Sequence, residues 1–168
     1  MKKEEIRFVT TVYDSIDELN KGDALLLTEA RNVTQYAYAP YSDFLVGAVA
    51  RLVNGKTISG TNQENASFPA GICAERTLLS AASSVYPNVA IDTIAISCNN
   101  LNSESNNNPV SPCGICRQSL FEFQQRTNHP IRIIMSGMTG PILVVENAKD
   151  LLPLVFSSDD LRNSNPKS

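Results

Sequence analysis

The sequence predicts an α/β protein, a three-layer α/β/α sandwich around a mixed β-sheet, and three observations carry that expectation. Segments with helical apolar spacing alternate along the chain with short runs rich in Val and Ile, an order that packs helices against a sheet. Two turn dipeptides, Asn54-Gly55 and Thr139-Gly140, each sit between such runs. Leu52 and Val53 before the first turn, with Ile58 after it, leave both faces of that hairpin partly apolar, so helices are expected against it. A chain of 168 residues suits one domain with a sizeable core, here expected over 1–168.

The elements follow in chain order. "IRFVTTVY" (6–13) alternates weakly and reads as a first strand or an ordered arm within residues 1–15. From Asp17 to Ala37, the positions Leu19, Leu25, Leu26, Ala30, Val33 and Ala37 follow helical spacing with a break near Gly22. Pro40 closes that stretch, because proline disfavours helical geometry in the residue before it. "VGAVARLVNGKTISGTN" (46–62) is a hairpin whose Asn54-Gly55 tolerates the positive φ angles of a tight turn. "CAERTLLSAASSVY" (73–86) is an Ala- and Leu-rich helix ending before Pro87, and "IDTIAISCN" (91–99) a short buried strand.

The polar "NNLNSESNNNPVS" (99–111) reads as a loop, too short to divide domains. "CGICRQSLFEFQQR" (113–126) is a second Cys-bearing helix, starting just after Pro112. "IRIIMS" and "PILVVEN" are strands around Thr139-Gly140; "AKDLLPLVF" (148–156) is a closing helical segment and "RNSNPKS" (162–168) a frayed tail. There are no internal repeats.

Composition excludes some functions. Fourteen Lys and Arg against seventeen Asp and Glu give a net charge of -3, which argues against a surface built to grip a nucleic acid backbone. The opening "MKKEEIRFVTTVYDS" has no apolar signal-peptide core, and no run approaches the ~18 apolar residues of a membrane span. A cytoplasmic, membrane-free protein is the expectation. There thiols usually stay reduced.

That matters because three of the four cysteines lie in two fragments, "GICAER" (Cys73, Glu75, Arg76) and "SPCGICRQ" (Cys113, Cys116). A disulfide conflicts with the expected compartment, and a thioredoxin-like pair leaves "CAER" unexplained. A closed structural zinc site needs a fourth ligand, for which only Cys98, at the end of an apolar strand, or His129, in the turn-like "TNHP", is at hand. Three thiolates alone leave one position for water, whose pKa the metal lowers. Cys113 and Cys116 are three apart and share a face of a helical turn. Cys73 and Glu75, two apart, can approach one metal only where a helix is beginning, as "FPAG" upstream suggests. Pro112 and Gly114 are expected to let the chain come close to the metal, and the positive ends of two helices would favour thiolates there. Arg76 is a candidate for hydrogen-bonding a sulfur and withdrawing charge, and Glu75 for shuttling protons between water and substrate.

Cys73-Ala74-Glu75 with Pro112-Cys113-Gly114-Ile115-Cys116 is the zinc deaminase pattern of a first ligand, a following Glu and Pro-Cys-x-x-Cys. The wider blocks "YAPYSDFLVGA", "GTNQENASFPAGICAERT", "SPCGICRQ" and "DLLPLVFSSDDL" resemble cytidine deaminases of the small, three-cysteine, homotetrameric kind. That resemblance implies a deaminase-like fold and zinc-dependent hydrolysis of cytidine and 2′-deoxycytidine, with one zinc per subunit on Cys73, Cys113 and Cys116. Glu75 would be the proton shuttle. Asn62 and Glu64 would bond the ribose 3′-hydroxyl, with Gln63 between them contributing backbone. Phe44 would lie beside the pyrimidine, and Phe156 would reach the base in a neighbouring subunit's site. The Ala74 N–H and the Ser111 carbonyl would read the base edge. The arm and the Asn-rich loop at 99–108 are longer than is usual in such proteins, which bears on substrate breadth. Related possibilities are another cytosine compound such as blasticidin S, a nucleic-acid editor, and a non-catalytic zinc-stabilised module.

Overall fold

The computed structural model describes residues 1–162, so all but the first residue of the tail expected at 162–168 lies outside the described residues. Six strands form one sheet in the order β1-β6-β5-β4-β2-β3: β1 Thr11–Tyr13, β2 Phe44–Leu52, β3 Thr57–Thr61, β4 Ile91–Asn100, β5 Arg132–Gly137 and β6 Ile142–Val145. Three longer helices, α1 Lys21–Val33, α2 Ala74–Val85 and α3 Gly114–Thr127, and a short α4, Ser158–Arg162, complete it. β4 and β5 run parallel, with Ile94 opposite Ile133, and every other pairing is antiparallel. The parallel pair is the one joined through α3, because only a crossover long enough for a helix returns the chain in the same direction. The sheet is therefore mixed, as expected.

Strand alternation builds two cores. Ala48, Ala50 and Leu52 of β2, Ile94 and Ile96 of β4, and Ile133 and Met135 of β5 point to one face, where they meet Leu78 and Ala82 of α2 and Leu120 and Phe123 of α3. The intervening Val49, Ala95 and Ile134 point to the other face and are covered by Leu26, Leu27 and Ala30 of α1. Helices on both faces explain why β4 is buried almost without a break from Ile91 to Cys98.

Several local expectations shift. Only Thr11–Tyr13 of the predicted 6–13 strand pairs, along the β6 edge. The break before α1 falls at Leu19–Asn20, not at Gly22, because the Asn20 side chain caps the helix by accepting the Asp23 N–H at 3.0 Å. At the first hairpin only Gly55 has positive φ, +79°. Gly55 N–H donates to Leu52 O and Leu52 N–H to Lys56 O, a three-residue loop closed by a glycine bulge in place of the expected two-residue turn. The closing helical segment shrinks to a 3-10 turn at Ala148–Leu151, and α4 begins beyond Phe156. There Ser157 N–H and Oγ–H both donate to Asp160, a capping signal in "SSDD" that hydropathy alone does not show. The Asn-rich loop is tied down: Asn106, in left-handed geometry, accepts from Asn100 N–H and donates to Asn99 and Ser103.

β3 and β4 are both antiparallel to β2, so they point the same way. The chain leaves each at the same edge of the sheet, and α2 and α3 both start there. Among the described residues no helix is long and apolar enough to cross a membrane.

Candidate metal centre and substrate pocket

Cys73 and Cys113 are the N-cap residues of α2 and α3. The shared edge brings them together: the Cys73 and Cys113 sulfurs are 3.9 Å apart, and the Cys113 thiol lies 3.6 Å from Cys116 one turn into α3. All three Sγ atoms lie within 4.8 Å of one another. A tetrahedral zinc with Zn–S bonds of about 2.3 Å wants sulfurs roughly 3.8 Å apart, which both separations from Cys113 match, and Cys73 and Cys116 lie within 4.8 Å of each other. Cys98 does not join it. Its buried thiol donates to the Asn108 carbonyl at 3.6 Å, and the cluster holds neither it nor His129. Among the described residues the protein thus offers three sulfurs and no fourth side chain.

The electrostatics differ thiol by thiol. Burial, with the charges of Glu75 and Cys73, pushes Cys116 far above the usual thiol range. Burial also raises Cys73. For Cys113 burial pushes upward too, but the Cys116 and Ile115 N–H groups and the neighbouring thiols outweigh it, and the group falls below its ordinary value. That is the helix N-terminus acting on a thiol through its unpaired amides. Glu75, in the first turn of α2, is 5% exposed. Burial raises its carboxyl, against the opposing pull of its own backbone N–H and the Cys116 thiol. A carboxyl drawn towards neutrality beside a metal site can both take and give a proton.

These groups open onto a cavity of about 310 Å³ lined by Cys73, Ala74, Glu75, Cys113, Ser111, Val46, Val110, Asn62, Gln63, Glu64, Phe68 and Ile72, among others. Of the expected site residues, Cys73, Cys113, Glu75, Ala74, Ser111, Asn62, Gln63 and Glu64 therefore share one space, while the fully buried Cys116 does not line it and joins only through its contact with Cys113. Asn62 is half engaged: its Oδ1 accepts from Val46 N–H at 2.7 Å and its Nδ2 donates to Phe44 O at 2.8 Å, leaving one lone pair and one N–H. Gln63 exchanges backbone hydrogen bonds with Ile72 and turns its amide away to Thr61. Glu64 accepts from Ser42 Oγ and the Tyr41 and Ser42 N–H groups, with the Ser42 hydroxyl first among the influences that hold its carboxyl below the usual range.

Three expected residues stand elsewhere. Phe44 lines a neighbouring cavity of about 180 Å³ with Cys98 and Asn106, touching the main one through the shared Val110. Phe156 is 58% exposed, and its carbonyl accepts from Gln118. Arg76 lines a groove between α2 and α3 with Ser80, Glu122 and Arg126, and among the described residues it makes no hydrogen bond to a thiol. One residue escaped the sequence reading. Arg117 donates to Pro112 O at 2.8 Å and Leu151 O at 3.1 Å, fastening the Pro112–Cys113 turn to the C-terminal segment. Its only trace in sequence is its place directly after Cys116.

Comparison with known proteins agrees with this geometry. Residues 20–129 match the family model for the cytidine and deoxycytidylate deaminase zinc-binding region. A cytidine deaminase of Halalkalibacterium halodurans is 34% identical over 139 residues, spanning 83% of this chain and 97% of that protein. One from Sporosarcina psychrophila is 36% identical over 138 residues, 81% of this chain and 92% of its own. The crystal structure of cytidine deaminase from Burkholderia pseudomallei superposes with a TM-score of 0.68 at 34% identity, over 82% of this chain and all of that one. The matched region contains both cysteine fragments and the carboxylate between them, and on that ground the chain belongs to the cytidine and deoxycytidylate deaminase family.

Proposed function

We propose that the protein hydrolyses cytidine and 2′-deoxycytidine to uridine and 2′-deoxyuridine, releasing ammonia. The observation that carries this reading is a buried carboxyl, Glu75, lining one cavity with Cys73 and Cys113, whose thiols cluster with that of Cys116 and, among the described residues, with no fourth protein ligand. Cys73, Cys113 and Cys116 would hold zinc, which when bound would supply the Lewis acidity that readies a water for attack.

The rest is done by side chains and backbone. Glu75 takes the proton of the attacking water and gives it to ring N3 as the new C–O bond forms at C4. It then carries the proton of the new C4 hydroxyl to the amine, which leaves as ammonia as the C4 carbonyl forms. Its raised carboxyl suits both directions of transfer. Asn62, through its spare N–H and lone pair, and Glu64, through its carboxylate, hold the sugar's 3′-hydroxyl as acceptor and donor partners. Gln63 contributes backbone that keeps these two in place. The Ala74 N–H and the Ser111 carbonyl read the base edge from the cavity wall. Phe44 flanks the pyrimidine by way of the shared Val110 wall, and Arg76 biases the thiolates by charge alone.

On this reading the chain works as one domain and as a homotetramer, in which an exposed Phe156 is supplied to a neighbouring site. Its role is salvage of pyrimidine nucleosides in the cytoplasm. The test is loss of cytidine absorbance by zinc-loaded protein, with and without a chelator, alongside metal quantification. Turnover that disappears on chelation and returns with zinc is expected. Intact cytidine after prolonged incubation with fully loaded protein, or preferential turnover of blasticidin S or a single-stranded oligonucleotide, would overturn it.

A further inference from the structure

Resting on the reading that Glu64 holds the sugar's 3′-hydroxyl, we propose that Ser42 is the positioning residue for that contact. Its hydroxyl sets which carboxylate oxygen faces the nucleoside, and Asn102 of the Asn-rich loop braces it from behind.

Glu64 sits at the rim of the cavity, where a free carboxylate would rotate among several orientations. Here three donors hold it. Ser42 Oγ donates to Oε1 at 2.5 Å, while Tyr41 N–H, at 2.9 Å, and Ser42 N–H, at 3.3 Å, donate to Oε2. A carboxylate has about four acceptor positions, so both positions on Oε2 are filled and the spare one lies on Oε1. Phe44 N–H donates into the Ser42 hydroxyl oxygen at 3.2 Å, which helps to hold that hydroxyl where its proton reaches Glu64. Phe44 O in turn accepts from Asn62 Nδ2, so both sugar-binding side chains are referred to the same short segment, 42–44.

That segment is held from outside by the loop. Asn102 Nδ2 donates to Ser42 O at 3.3 Å, and Leu101 N–H donates to Asp43 O at 2.9 Å, across a residue in left-handed geometry. Without the hydroxyl, Oε1 keeps its charge but loses its fixed direction. The cost then falls on a contact made equally in the bound substrate and the transition state, so it should raise KM and leave kcat nearly unchanged.

The experiment compares cytidine with 3′-deoxycytidine, which lacks the group Glu64 holds, using zinc-loaded wild type, Ser42→Ala, Ser42→Thr and Asn102→Ala. For Ser42→Ala we expect KM for cytidine to rise about 10-fold with kcat within about twofold, the size of one lost charge-assisted hydrogen bond. KM for 3′-deoxycytidine should not move, Ser42→Thr should restore wild-type behaviour, and Asn102→Ala should act in the same direction by about threefold. A rise in KM for both substrates alike, or no rise for either, overturns the role of Ser42 and leaves the Glu64 contact standing. Wild-type protein that treats the two substrates alike removes the Glu64 contact and the proposal with it.

Discussion

Gly60 provides a mechanical test of how the site is held. It lies in β3 beneath the first turns of α2, where an added Cβ would stand 2.4 Å from Leu78 N and 2.6 Å from Ala74 O. Ordinary contact begins near 3.4 Å, and both obstacles are backbone, so no side chain can swing aside. Gly60→Ala must therefore separate β3 from α2 by about 1 Å, at an overpacking cost of ~1–3 kcal/mol. The helix that moves carries Cys73 at its cap and Glu75 in its first turn. A misplacement of about 1 Å in a catalytic group costs ~100-fold in rate. Gly47→Ala is the matched control. Its Cβ would also meet a carbonyl at 2.4 Å, that of Ala30, but in α1 on the opposite face of the sheet. Both variants should lower Tm by roughly 3–10 °C, while only Gly60→Ala should lose kcat in zinc-loaded, folded protein. Thermal unfolding and steady-state cytidine turnover give both numbers. Wild-type kcat in Gly60→Ala, or equal kcat losses in the two variants, would refute the claim that the β3–α2 contact sets catalytic geometry.

Glu75→Gln should keep one zinc per chain yet slow kcat by at least ~100-fold, checked by metal analysis beside initial rates; near wild-type turnover would remove Glu75 from the chemistry. Zinc affinity should rise with pH, because burial holds Cys116 and Cys73 protonated in the metal-free protein and the ion must expel those protons. Competition titrations with a chromophoric chelator across neutral to alkaline pH check the sign, and a flat profile would contradict it. Asp23→Ala should destabilise by about 3 kcal/mol in urea, since Asp23 is 1% exposed and accepts from Arg132, Arg51 and Asn20. Its kcat should hold, because α1 covers the face away from the site.

The layers were legible because each is an area effect, and residue periods report buried area directly. The boundaries were not, because each is decided by one or two hydrogen bonds. Asn20 moves the start of α1 through a single cap, and Gly55 changes the hairpin turn by taking the whole burden of positive φ. α4 starts at a cap formed by Ser157 and Asp160. None of these alters the apolar pattern, which is why a reading by pattern misplaced them.

The site divides along a similar line. Cys73, Glu75, Cys113 and Cys116 were readable because helical geometry links near neighbours in sequence, and three and two residues are distances that a helix start converts into positions. Arg76 is also a near neighbour, yet its direction follows from where α2 meets α3, and that contact sends it into the groove with Arg126. Arg117 was invisible for the complementary reason, since one of its acceptors, Leu151 O, is 34 residues away. What no local spacing contains is the approach of the two cysteine fragments themselves. It depends on β3 and β4 each pairing antiparallel with β2. Reverse either pairing and Cys73 and Cys113 would begin their helices at opposite edges of the sheet, with both motifs intact and no centre between them.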